Sequence, residues 1–135
     1  MKKFRSLLFV DDDHPSNVYH RIVLEESGLC DELVFFTHPP DAIVYLEKLA
    51  NDSNAVWPDI IFLDINMPYL NGWNFLKKME DMQLPHYSPV VMLSTSEYYK
   101  DVERSKAEPL VKAFFCKPME VESLLEIEQI LINEP

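Results

Sequence analysis

The sequence predicts an α/β protein of (βα)5 form: one doubly wound parallel sheet of five strands with helices on both faces. Two patterns and one rule lead there. Short apolar blocks recur five times along the chain, and each is followed by a segment of helical period. Four of the blocks are unbroken four-residue apolar runs between polar or turn residues, as a strand covered on both faces requires. Parallel neighbours need right-handed helical crossovers, so such an alternation closes into a single sheet.

In chain order the predicted strands are Leu7-Leu8-Phe9-Val10, Leu33-Val34-Phe35-Phe36, Ile60-Ile61-Phe62-Leu63, Val90-Val91-Met92-Leu93 and Val111-Lys112-Ala113-Phe114-Phe115. After the first, Val18, Tyr19, Ile22 and Val23 mark a helical face, with Pro15 in the first turn and Gly28 as the stop. After the second, Ala42, Ile43, Leu46, Leu49 and Ala50 follow Pro39-Pro40-Asp41. After the third, Phe75, Leu76, Met79 and Met82 follow Asn71-Gly72. Val121, Leu124, Leu125 and Leu131 form the last helix. The helix from Ser96 to Ala107 is different, with only Tyr98, Tyr99, Val102 and Ala107 to anchor it. It is expected to be exposed, and suited to movement or partner contact.

A chain of 135 residues is expected to make one domain, or at most one domain with short tails, able to bury about two-thirds of its unfolded surface without staples. The charge is far from balanced: 12 Lys and Arg against 23 Asp and Glu leave −11 at pH 7. Phosphate backbones and anionic lipid would repel it, so direct nucleic-acid or membrane-surface binding is not expected. Cys30 and Cys116 form no CxxC or metal spacing and read as buried thiols of a reducing compartment. The N-terminus lacks the apolar core of a signal peptide, and no apolar stretch approaches the roughly 18–20 residues of a membrane span. A cytoplasmic location is the expectation.

Ligands of an open α/β sheet bind beyond the carboxyl ends of its strands. Asp11-Asp12-Asp13 follow the first block, Asp64 the third, Ser94-Thr95-Ser96 the fourth and Cys116-Lys117-Pro118 the fifth. Carboxylates gathered at one sheet edge repel unless a cation lies among them. Hard oxygen ligands in a partly open site suit Mg²⁺ (or Mn²⁺), completed by water and phosphate oxygens. One Asp can then act as nucleophile toward phosphorus, with the Lys charge and Ser hydroxyl on the phosphoryl oxygens.

These residues resemble those of the receiver domains of bacterial two-component response regulators, in particular the stand-alone, chemotaxis-regulator kind. The resemblance covers about residues 4–133 and implies a flavodoxin-like sheet of strand order 2-1-3-4-5, with no separate effector domain. "LLFVDDD" resembles the family's first-strand acidic cluster, which assigns Asp11 and Asp12 to the metal site. "PDIIFLDINMPYLNGWNFL" resembles the phosphoacceptor block, which makes Asp64 the acceptor and a metal ligand and gives the metal the backbone carbonyl of Asn66. "PVVMLSTS" puts Ser94 at the Ser/Thr position, and "FFCKP" puts Lys117 at the lysine position. Phe114 falls at the aromatic switch position, paired with Ser94. "SKAEPLVKAFF" departs from the family, with Pro109 in place of its usual Gly-Ala pair.

The resemblance implies a phosphohistidine donor, on a histidine kinase or a histidine phosphotransfer protein, and an unknown downstream protein. The domain would be no enzyme beyond phosphorylating itself from a donor and slowly losing the group. A relay intermediate without its own output is the nearest alternative. A metal-dependent phosphatase with Asp64 as nucleophile is another, disfavoured because Asn66 is a poor general acid. His14, His20, His38 and His86 lack metal spacing and read as surface or structural residues. Trp57 and Trp73 read as packing residues.

Overall fold

The structure, a computed structural model, describes residues 3–95 and 99–133. Strands β1 (Phe4–Val10), β2 (Cys30–Phe36), β3 (Ile60–Asp64), β4 (Val90–Ser94) and β5 (Val111–Cys116) alternate with helices α1 (His14–Ser27), α2 (Pro39–Ala50), α3 (Gly72–Asp81), α4 (Tyr99–Ala107) and α5 (Val121–Ile132). All strands are parallel and stand in the order β2-β1-β3-β4-β5, the expected one. Among the described residues, no helix is long and apolar enough to cross a membrane.

The three central strands are buried almost throughout, and their side chains alternate between two cores. Leu8, Val10, Ile61, Leu63, Val90 and Met92 meet Ala42, Ile43 and Leu46 of α2 and Phe75, Leu76 and Met79 of α3. Leu7, Phe9, Ile60, Phe62, Val91 and Leu93 meet Leu24 of α1 and Leu124 and Ile127 of α5. Phe9 stacks between Phe35 and Phe62 at centroid distances of 4.8 and 4.5 Å. Each such side chain contributes about 1.5–3 kcal/mol by leaving water.

Three features depart from the sequence reading, the first being that Cys30 and Cys116 are half-buried rather than buried. β1 and β2 begin three residues before their apolar blocks. β2 is an edge strand whose outer positions Asp31 and Glu32 are exposed, so its first half has no apolar run to betray it. The inward face of α1 is also not the one its apolar residues mark. Val18, Tyr19 and Ile22 are exposed at 42%, 39% and 52%, while Asn17, His20 and Leu24 are buried. Asn17 and His20 bond loop backbone, while the His20 ring also packs on Phe9 of β1. Tyr98 lies outside the described residues. The rest of α4 meets the expectation: most of it is exposed, Val102 is half-buried, and Ser105 is buried with its hydroxyl donating to its own Val102 carbonyl.

Two glycines have defined tasks. Gly28 ends α1 in the left-handed region at φ 68°, its N–H donating to the Glu25 carbonyl. Gly72 opens α3 directly behind Asp64. A Cβ there would lie 2.7 Å from the Asp64 carbonyl oxygen and 2.9 Å from the Ile65 Cα, and the Gly72 N–H donates to the Ile65 carbonyl. Both obstructions are backbone and cannot swing aside. Gly72→Ala is therefore expected to destabilise the fold by about 1–3 kcal/mol, read as a lower urea midpoint. An unchanged midpoint would mean that α3 can back away from β3 at no cost.

Candidate functional site

The carboxyl ends of β1, β3, β4 and β5 bring Asp11, Asp12, Asp64, Ser94 and Lys117 to one edge of the sheet. Oxygens of Asp11, Asp12 and Asp64 lie within 4.8 Å of one another; Asp11 and Asp64 are buried, Asp12 exposed. The Lys117 ammonium is 2.7 Å from Asp11 Oδ2 and 3.4 Å from Asp64 Oδ2, with its side chain only 9% exposed. The neighbouring strand ends fix these positions. Asp64 pairs with Leu93 in the β3–β4 register, and Ser94 pairs with Cys116 in the β4–β5 register. The Lys117 N–H donates to the Ser94 carbonyl at 2.8 Å, which ties the lysine to the end of β4.

Asp11 is held on every side. The Asp13 N–H and the Ser16 hydroxyl donate to its carboxylate at 3.0 and 3.2 Å, and Asn17 Nδ2 donates to its carbonyl at 2.9 Å. Ser94 is buried at the end of β4. Phe114, in the middle of β5, is half-buried against the α2–α3 core and lines a surface cavity of about 280 Å³ with Val102, Ser105 and Lys106 of α4. Asn66 is exposed in the loop after β3.

The electrostatics are those of an anionic site short of positive charge. Burial works against the charge on Lys117, but Asp11 and then Asp64 outweigh it, so the ammonium titrates above its ordinary value. Burial raises the Asp64 carboxyl, the Asp11 charge raises it further, and Lys117 pulls it back; the net is a rise from 3.8 to about 7. Lys117 thus largely serves Asp11, and Asp64 carries a charge that one ammonium does not balance. Three hard carboxylates close together, one of them open to solvent, are a donor set that fits Mg²⁺ or Mn²⁺.

Sequence reasoning did not find two parts of the surroundings. His20, buried beneath the pocket, accepts the Met119 N–H on Nε2 at 2.9 Å, across 99 residues of sequence. Arg104 of α4 lies over the Trp73 ring at 4.5 Å from its centroid, beside the Gly72 contact with Asp64. Neither pairing has a spacing signature; only the topology joins the partners.

The folded value of Asp64 lies above its unfolded one, which fixes a sign. Its protonated form adds stability fully below pH 3.8, and that contribution is lost as pH rises through about 7. In EDTA, Asp64→Asn is expected to melt several degrees above wild type at pH 8, with the gap closing toward pH 4. Coincident melts at pH 8 would mean that Asp64 ionises in the fold without penalty.

The family model of the response regulator receiver domain matches residues 7–129. Among solved structures, a two-component response regulator from Cytophaga hutchinsonii superposes with a TM-score of 0.89 at 29% identity, covering 98% of this chain and 100% of the other. The phosphorylated cyanobacterial phytochrome response regulator RcpA gives a TM-score of 0.70 at 25% identity, covering 93% of this chain and 88% of that one. The phosphate regulon transcriptional regulatory protein PhoB of Escherichia coli (strain K12) is 26% identical over 147 residues, covering 96% of this chain. The chain spans 60% of the length of that curated relative. A five-stranded parallel sheet of order 2-1-3-4-5, an acidic cluster beside a buried lysine, and a family match over nearly its whole length place this chain in the response regulator receiver domain family.

Proposed function

We propose that this chain accepts a phosphoryl group on Asp64 and, by holding it, switches an interaction surface. The observation that supports this most is the convergence of Asp11, Asp12 and Asp64 with the buried Lys117 ammonium between two of them. A structural ion pair needs one carboxylate. Two further ones at the same edge, one with its pKa raised to about 7, are expensive unless charge is to be brought there. That RcpA has been obtained phosphorylated accords with this reading.

Mg²⁺ or Mn²⁺ bound by Asp11, Asp12, Asp64 and the Asn66 carbonyl would neutralise the site and the incoming phosphoryl oxygens. An Asp64 carboxylate oxygen attacks phosphorus. The bond from phosphorus to the donor breaks, to the imidazole nitrogen of a phosphohistidine or to the acyl oxygen of acetyl phosphate, and its electron pair leaves with the imidazole or acetate. Lys117 pairs with one of the new phosphoryl oxygens and the Ser94 hydroxyl donates to another. Inward movement of Ser94 opens space that the Phe114 ring can enter, held there by packing, since Phe has no hydroxyl to bond a loop carbonyl. The face made by α4, β5 and α5 is the output surface, read by a downstream protein. The donor is a histidine kinase or histidine phosphotransfer protein. The receiver domain, residues 4–133, acts through protein contacts, in the cytoplasm and away from nucleic acid and membrane.

Incubation with acetyl phosphate and Mg²⁺ is expected to add one phosphoryl mass to wild type and none to Asp64→Asn, with EDTA abolishing the gain. Lys117→Ala should bind beryllofluoride at least about tenfold more weakly, by loss of its pairing to the bound oxyanion. Phosphoryl gain in Asp64→Asn at the wild-type rate would remove Asp64 from the role.

A further inference from the structure

We infer that His20 is a positioning residue for Lys117: its Nε2 holds the loop that carries the lysine in place over the acid pocket, an inference that rests on the phosphoacceptor reading of that pocket.

His20 is 1% exposed, on the inward face of α1, with its ring stacked on Phe9 at 5.4 Å between centroids. Its Nε2 accepts the N–H of Met119, itself fully buried, two residues after Lys117. The lysine backbone is therefore fixed on both sides, at its own N–H by the Ser94 carbonyl and just beyond by His20. The preceding residue of α1 adds a second tie, since the Tyr19 hydroxyl donates to the carboxylate of Glu120 at 2.5 Å. One turn earlier the same helix holds Asp11 through Ser16 and Asn17. A single turn and a half of α1 thus grips both the carboxylate loop and the lysine loop. The 2.7 Å contact between Lys117 and Asp11 spans the two.

An imidazole is a poor choice for this place if stability were its only contribution. As an acceptor at Nε2 the neutral ring carries its proton on Nδ1, and Nδ1 has no hydrogen-bond partner among the described residues. Burial also works against a charged ring. His20 satisfies one buried donor, the Met119 N–H, and introduces another. A leucine would leave one orphan donor as well. What the imidazole provides and leucine cannot is a directed acceptor of fixed reach aimed at the loop. Displacing a catalytic cation by a fraction of an ångström weakens its pairing with an incoming oxyanion far more than it weakens the fold.

The test compares wild type, His20→Leu and His20→Gln in the rate of phosphoryl gain from acetyl phosphate with Mg²⁺, alongside melting temperature. His20→Leu is expected to melt close to wild type yet gain phosphoryl at least about tenfold more slowly, whereas His20→Gln, whose amide oxygen reaches to the place of Nε2, stays within about threefold. A merely structural residue would not show rescue by the acceptor. His20→Leu at the wild-type rate, or a folded His20→Gln as slow as His20→Leu, overturns the inference. Nitrogen-15 NMR of wild type decides independently if His20→Leu does not fold: Nε2 unprotonated and Nδ1 protonated at pH 7 is expected, and a protonated Nε2 overturns it. A wild type that neither gains phosphoryl nor binds beryllofluoride removes the phosphoacceptor reading and this inference with it. A competent wild type with an indifferent His20→Leu removes the inference alone.

Discussion

The ammonium of Lys117 between two buried carboxylates is the contact on which the carboxyl edge of this sheet depends. Without it, Asp11 at 2% exposure would be an uncompensated buried charge, a defect that costs about 3–5 kcal/mol when a partner is removed. The arrangement is asymmetric. Lys117 sits 2.7 Å from Asp11 and 3.4 Å from Asp64, so the first carboxylate is satisfied and the second is left partly unpaid. That imbalance leaves the three-carboxylate edge short of positive charge. It also explains why the surrounding backbone is pinned so closely: Lys117 N–H to Ser94, Met119 N–H to His20, and Gly72 pressed against the Asp64 carbonyl without room for a methyl group.

Much of this was legible in the sequence, for a physical reason. Central parallel strands are buried on both faces, so Ile60–Leu63 and Val90–Leu93 stand out as apolar runs, and polar residues at their carboxyl ends stand out against them. The rule that ligands bind beyond those ends turns four isolated residues into one place. The failures share a cause as well. The polar start of β2 is invisible because an edge strand need not be apolar. On α1 the apolar stripe of Val18, Tyr19 and Ile22 faces solvent, while Asn17 and His20 point inward and bond loop backbone. Apolar periodicity locates a helix, but it misses an inward face lined by hydrogen-bonding side chains such as Asn17 and His20.

The interior of α1 also shows how polar side chains substitute for regular hydrogen bonding at a sheet edge. Past Val10 and Cys116 the N–H groups of Asp11 and Lys117 still pair with the Phe36 and Ser94 carbonyls, and the loop donors and acceptors beyond them must be paired in other ways. Asn17 takes the Asp11 carbonyl and His20 takes the Met119 N–H. Lower on the same helix, Leu24 enters the apolar core with Leu124 and Ile127. The change from polar to apolar along one face follows the depth of the helix relative to the strand ends.

Beside this edge lies α4, most of whose described side chains are exposed. Its buried Ser105 returns its hydroxyl to the helix's own backbone, and its described contacts outward include Val102 beside Phe114 and Arg104 over Trp73. A cation–π contact at an exposed site is worth only about 0.5–1 kcal/mol. A phosphoryl group that gains 1–3 charge-assisted hydrogen bonds, at about 1.5–3 kcal/mol for a hydrogen bond to a charged group, supplies more than that. The energetic scales therefore divide the carboxyl edge in two. On the proposed function, the strand backbones and the α1 clamp form the frame, and the Ser94 side chain, the Phe114 ring and α4 are the parts that would respond. A switch needs both parts: a rigid frame to concentrate the new charge, and a neighbour whose attachment costs less to alter than that charge supplies.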